Sequence, residues 1–168
     1  RMFGQHLWQH SLDTAQACQH LARYFGQGDP FNAYLVGLTH DVGKLTIFRL
    51  LIESFQRVHP DVQPRGAVFS RIVSERSPPL TMQILKHWGM PVFVQQAVEE
   101  LDDSRSAAEV SGYGFILRQA NILAEFRWLL GDTQPNSDEG RALMEKFGVP
   151  LLLLKTAFPE LGSLEEAL

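Results

Sequence analysis

Apolar residues recur at intervals of three and four along nearly the whole chain, and nowhere do they alternate with polar ones between turn dipeptides. That is the spacing of helices that turn one face inward, not of half-buried strands. A first helix is expected over residues 4–25, with Leu7, Trp8, Ser11, Leu12, Ala15, Cys18, Leu21 and Ala22 on one face. "GQGDPF" breaks it, and Asp29 before Pro30 supplies an N-cap followed by proline at the first helical position. The second helix carries Tyr34, Leu35, Gly37 and Leu38 up to His40 and Asp41. Gly43 is expected to kink or end it, and "KLTIFRLLIESFQRV" continues as a third.

"HPDVQPRG" is rich in breakers and reads as a surface loop. A short helix over 67–74 is expected next, then a separate one capped by Ser77, with Pro78 and Pro79 in its first turn and Gly89 closing it. Another starts after Pro91, and a long helix spans residues 107–130. Two short helices, including the core candidate "VPLLLLKTAF", follow a loop over 131–137. The expected fold is all-α, a bundle of seven or more helices. The spacing leaves open whether the residues after Gly131 share its core.

Composition narrows the class. At 168 residues, with 45% hydrophobic and 20% charged content, the chain suits one globular domain, 1–168. A net charge of −4 gives no global basic field, so neither nucleic acid nor an anionic membrane is an expected partner. Cys18, the single cysteine, excludes an internal disulfide and suits a cytoplasmic setting; beside Ala15, Ala17 and Ala22 it reads as a small core residue. No stretch approaches the ~20 apolar residues of a transmembrane helix. Because no cap or turn precedes the first helix, and Gln5 and His6 follow Arg1 and Met2 almost at once, a longer parent protein is expected rather than a signal peptide. Trp8, Trp88 and Trp128 are expected as core or edge anchors, and Glu99, Glu100, Asp102 and Asp103 as a solvated helix end. The glycines of "SGYGF" lack phosphate-loop spacing.

Four polar positions fall where helices should pack: His10, the pair His40–Asp41, and Asn121 within "LRQANILAEF". Imidazole nitrogens and carboxylate oxygens converging from several helices suit Zn, Fe or Mn, and a bundle core is where such side chains meet. A bound divalent ion lowers the pKa of its water and polarises a phosphoryl oxygen. Taken alone, His10 also fits a satisfied core histidine, and His40–Asp41 fits a cap at a helix C-terminus. Lys44 fits either a phosphate contact or a solvated side chain at a helix start.

The stretches "LWQHSLDTAQACQHLA", "FNAYLVGLTHDVGKLTIF", "LTMQILKHWGMPVFVQQAV" and "ILRQANILAEF" resemble the successive helices of an HDOD domain. That family is the HD-related output domain of bacterial signalling proteins, a non-enzymatic relative of the HD phosphohydrolases. The resemblance covers most of residues 4–130, and the family has a further N-terminal helical portion that this sequence lacks. It implies that the HD metal set maps to His10, His40, Asp41 and the position of Asn121, where the fourth carboxylate is replaced by an amide. It also implies missing histidines. Ser77, Pro78 and Pro79 stand where one often opens a helix, Glu99 to Leu101 stand where a pair often follows, and no histidine occurs after His87.

Two readings follow. One is a non-catalytic signal-transduction output or scaffold module that acts through a regulatory protein partner, its polar cluster a remnant or weak metal site. The alternative is a metal-dependent phosphohydrolase acting on a nucleotide or cyclic dinucleotide, with a single Fe, Mn or Zn on a depleted site. The missing acidic ligand favours the first. Partner identity, upstream signal and oligomeric state are not legible in the sequence.

Overall fold

The structure, a computed structural model, describes residues 2–58, 66–102, 106 and 108–162. Among them are eight α-helices and no strand: α1 (Met2–Phe25), α2 (Pro30–Thr39), α3 (Val42–Val58), α4 (Ala67–His87), α5 (Val92–Glu99), α6 (Gly112–Leu130), α7 (Asp138–Phe147) and α8 (Leu151–Ala157). Short 3₁₀ turns at Glu100–Asp102 and Pro159–Leu161 complete the chain. The all-α bundle is therefore present, and no helix is long and apolar enough to cross a membrane among the described residues.

Local signals set several boundaries. The Asp29 side chain accepts from Asn32 N at 3.0 Å, and Pro30 opens α2, whose first turn needs no donor there. Gly89, with φ +65°, ends α4 after Trp88, and its N–H donates to the Lys86 carbonyl at 3.0 Å. Ser137 caps α7 by accepting from Gly140 N at 3.0 Å.

One apolar cluster joins Cys18 and Leu21 of α1, Val36 of α2, Leu85 of α4, Val94 of α5, Leu117 of α6 and Leu154 of α8. The residues after Gly131 thus share the core, with Leu154 and Phe158 fully buried. Two glycines allow close helix crossings. A Cβ on Gly37 would lie 2.6 Å from the Ala15 Cα of α1, and one on Gly43 would lie 2.5 Å from the Ser77 carbonyl oxygen of α4.

The structure corrects several expectations. Residues 67–74 and 77–87 are not two helices: α4 runs unbroken through Pro78 and Pro79. Ser77 caps nothing. It is a buried interior residue whose hydroxyl donates back to the Val73 carbonyl. Prolines cost an exposed helix dearly, but packing of α4 against α3 through Thr81, whose Oγ1 accepts from Gly43 N at 3.0 Å, overrides that local penalty. Helix α6 starts at Gly112, not near 107, because Ser111 adopts extended backbone and its hydroxyl accepts from Gly114 N.

Glu100 is no solvated helix end. It is 2% exposed, and its carboxylate accepts from Ser111 N at 2.9 Å and Ser111 Oγ at 2.7 Å, clamping the start of α6. Trp8, Trp88 and Trp128 are all more than half exposed, so of the core or edge anchors expected there, none is a core one. Gly43 neither kinks nor ends α2; the break falls at His40–Asp41, and Gly43 lies in the first turn of α3 with ordinary φ. Of the loop "HPDVQPRG", only Gly66 lies within the described residues.

Candidate functional site

Two helix ends and two helix interiors converge on the polar cluster. His10 sits in the middle of α1, on the buried side that also presents Thr14 and Cys18. His40 and Asp41 form the turn between α2 and α3, delivered there because Gly37 lets α2 lie directly on α1. Asn121 comes from α6, which packs against α1 from the other side. Sequence positions 111 apart thereby meet: His10 Nε2–H donates to Asn121 Oδ1 at 2.9 Å.

The rings of His10 and His40 lie 5.4 Å apart, edge to face, and one ligand-capable atom from each of His10, His40 and Asp41 falls within 4.8 Å of the others. His40 is 3% exposed. Its Nδ1–H donates to the Gly37 carbonyl at 2.6 Å, which in the neutral ring fixes the tautomer with Nε2 as the acceptor. No hydrogen-bond partner reaches that nitrogen; Asp41 Oδ2, at 3.7 Å, is too far. Asp41 itself is taken up by Lys44, whose Nζ lies 2.6 Å from Oδ2.

Charge follows the same lines. Burial, and then the neighbouring His40, push the His10 imidazole down to about 4, so it is neutral near pH 7. Burial pushes the Asp41 carboxyl up, but His40 and the Lys44 ammonium outweigh it and hold it below the ordinary carboxylate value. The cluster therefore contains one carboxylate, already paired with one ammonium.

A divalent ion fits this donor set only in part. His40 is ready: a buried nitrogen with a free lone pair, its other nitrogen held by a backbone carbonyl, is the arrangement of a metal-bound imidazole. His10 is committed through Nε2 to Asn121, and Asp41 to Lys44. Asn121 brings a carbonyl oxygen without charge. His40 and Asp41, with His10, are thus the residues that would hold an ion, and each but His40 must first give up a bond.

Sequence reasoning missed two neighbours. His6, one turn before His10, stacks on Trp128 with centroids 3.8 Å apart, and burial ahead of Lys44 lowers its pKa. Its spacing of four from His10 was the available signal. The second is a cavity of ≈ 420 Å³ outside the His40–Asp41 turn, lined also by Lys44, Ser74, Pro78 and Glu99. No sequence spacing announces it, because its walls come from α3, α4 and α5, from His40 through to Leu101.

A helical bundle that gathers a histidine, a His–Asp pair and a fourth polar residue at one point is an HD-related module. The HDOD domain model matches residues 2–104, and the chain belongs to that family. Asn121 lies beyond the matched residues, so its assignment to the fourth position rests on its contact with His10. No curated protein matches the sequence. Among solved structures, the chain is similar to a protein named "Putative phosphohydrolase" from Shewanella amazonensis SB2B, with a TM-score of 0.57 at 17% identity. The likeness covers 94% of this chain but 59% of that one, and at this identity it speaks for the fold alone.

Proposed function

We propose that this chain is a non-catalytic output or scaffold module of a bacterial signalling protein, working in the cytoplasm through a regulatory protein partner. The observation that carries this reading is the bond from His10 Nε2 to Asn121 Oδ1 at 2.9 Å. The amide stands where a second carboxylate would be needed, and it occupies a ligand nitrogen. With Asp41 neutralised by Lys44, a divalent ion would enter a site offering it no net negative charge. What remains is a buried polar network that is largely satisfied without an ion. Further support comes from the outer face of α6, where Ile122, Trp128 and Leu129 are each more than half exposed, the apolar and aromatic character of protein interfaces.

A second reading is favoured by one observation, the unpartnered Nε2 of His40 within 4.8 Å reach of His10 and Asp41. On that reading the chain is a phosphohydrolase of a nucleotide or cyclic dinucleotide. An ion such as Fe, Mn or Zn supplies an activated water and polarises a phosphoryl oxygen. His40 and Asp41 orient the site, and Lys44 turns from Asp41 to the substrate phosphate.

The deciding experiment measures the metal content of the untagged protein, together with its turnover of nucleotide and cyclic-dinucleotide phosphodiesters. The module reading expects substoichiometric metal and no turnover above that of an Asp41→Ala variant. Stoichiometric Fe, Mn or Zn with turnover abolished by Asp41→Ala establishes the enzyme instead.

A further inference from the structure

Helix α6 packs on α1, α2, α5 and α8, and Ile122, Glu125 and Leu129 remain exposed on it. With Phe126 they follow the three- and four-residue spacing of one helix face. Phe147, at the end of α7, and Val149 join them to line a groove of ≈ 210 Å³. Phe126 and Val149 are buried and form its floor, whereas Ile122, Leu129 and Phe147 are each about half exposed and form its rims. The rings of Phe126 and Phe147 lie 6.2 Å apart. Small-molecule pockets hold about 300–1,000 Å³, so the groove is too small for a cofactor but suits the apolar side chains of a docked segment.

Charge narrows the occupant. Glu125 is the one charged residue in that lining, and it makes no ion pair among the described residues. Neighbouring cations are engaged elsewhere: Arg127 pairs with Glu160 and lies over the Phe158 ring, and Lys146 Nζ sits 5.5 Å from the Phe147 ring centroid. A second copy of the chain fits poorly. Glu125 falls midway between Ile122 and Leu129, so a two-fold contact through this stripe would bring two Glu125 carboxylates together. Residues 163–168 carry Glu165 and Glu166 and no cation, so they bring the wrong charge as well. An apolar stripe interrupted by a cation, on a different chain, satisfies both the groove and its carboxylate.

We propose that this groove docks an amphipathic helix of the partner protein. Its apolar side chains at i, i+4 and i+7 seat between the α6 stripe and Phe147, and a lysine or arginine on the same face pairs with Glu125. The inference rests on the module reading, which calls for a protein partner, and names that partner's chemistry.

The test uses the full chain, ¹⁵N-labelled, titrated with helical peptides of about 15 residues. Each carries leucines at those three spacings with either lysine or glutamate between them on the same face. The expected result is saturable shifts of the Ile122, Glu125 and Leu129 amides with the lysine peptide, and a Kd about three- to tenfold higher for the glutamate peptide. Glu125→Lys reverses that preference, and Leu129→Ala raises the Kd of both peptides about fivefold or more. Both positions are exposed, and thermal unfolding checks that the variants keep the fold. Equal affinity for the two peptides overturns the proposal, as does the absence of saturable shifts at these amides up to millimolar peptide. Sedimentation that shows a dimer broken by Leu129→Ala assigns the face to a second copy and overturns it too. Metal content and turnover decide the module reading separately, so the two failures are distinguishable.

Discussion

Gly43→Ala is the sharpest probe of how the His–Asp turn is held. The added Cβ would lie 2.5 Å from the Ser77 carbonyl oxygen, 2.5 Å from Thr81 Oγ1 and 2.6 Å from Thr81 N. Two of these are backbone atoms of a helix interior, so no single rotamer change relieves the clash; α4 must move off α3 by about 1 Å to restore ordinary contact. Overpacking of this kind costs about 1–3 kcal/mol, and weakening the buried Gly43 N to Thr81 Oγ1 bond adds about 1 kcal/mol. Alanine returns about 1 kcal/mol, because Gly43 sits in α3 with ordinary φ, where glycine is the poorer helix former. The net expectation is a loss of about 1–3 kcal/mol, or roughly 2–12 °C in Tm for a chain of this size. Gly112→Ala is the internal control, since its added Cβ meets nothing nearer than Gln27 Oε1 at 3.6 Å. It should be neutral or slightly stabilising. Thermal unfolding of the three proteins in one buffer reads the difference. A Gly43→Ala protein as stable as wild type would refute the inferred crossing.

Other consequences are as direct. His10, held at about 4 against an ordinary 6.5, binds fewer protons folded than unfolded, so stability should fall by about 3 kcal/mol as pH drops from 6.5 to 4. Asp41, held below its ordinary value, adds a loss below pH ~4 that has the same sign. Urea unfolding at several pH values in EDTA measures the slope, and a flat profile across that window contradicts the burial of a neutral imidazole. Glu100→Ala should cost about 2–3 kcal/mol by freeing the Ser111 N–H and hydroxyl, with Glu100→Gln distinctly milder; equal effects in chemical denaturation would argue against the clamp. Cys18 is fully buried, and burial pushes its thiol pKa up, so a thiol reagent should modify it only as fast as the protein opens. Labelling within seconds under native conditions would show otherwise.

Much of this architecture can be read from residue spacing, and the parts that cannot have physical reasons. Periodicity reports which face of a helix is wet, so the long amphipathic α1 and the Asp29–Pro30 start of α2 are visible in the sequence. The meeting of His10 with Asn121 is foreseeable only through family resemblance, because two helices 111 residues apart leave no local trace of their contact. Pro78 and Pro79 mislead because local propensity is a few kcal/mol at most, and the packing of α4 against α3 through Ser77 and Thr81 outweighs it. Glu100 misleads in the opposite direction. Carboxylates are seldom buried unpaired, and the Ser111 donors on one oxygen, with Gln96 Nε2 donating to the other at 3.1 Å, make burial tolerable. The exposed tryptophans share a periodicity with the core but face outward, a distinction that hydrophobic spacing cannot make where a surface is apolar.

The central claim is that the amide of Asn121 keeps this HD cluster from functioning as a metal centre. Its most direct test is a side-by-side titration of wild type and Asn121→Asp with Mn, Fe and Zn, followed by metal quantification after desalting. The account predicts little retained metal in wild type and about tenfold or more tighter retention in Asn121→Asp, as one added carboxylate ligand supplies the missing charge. Stoichiometric metal in the wild type, unchanged by the substitution, would contradict it.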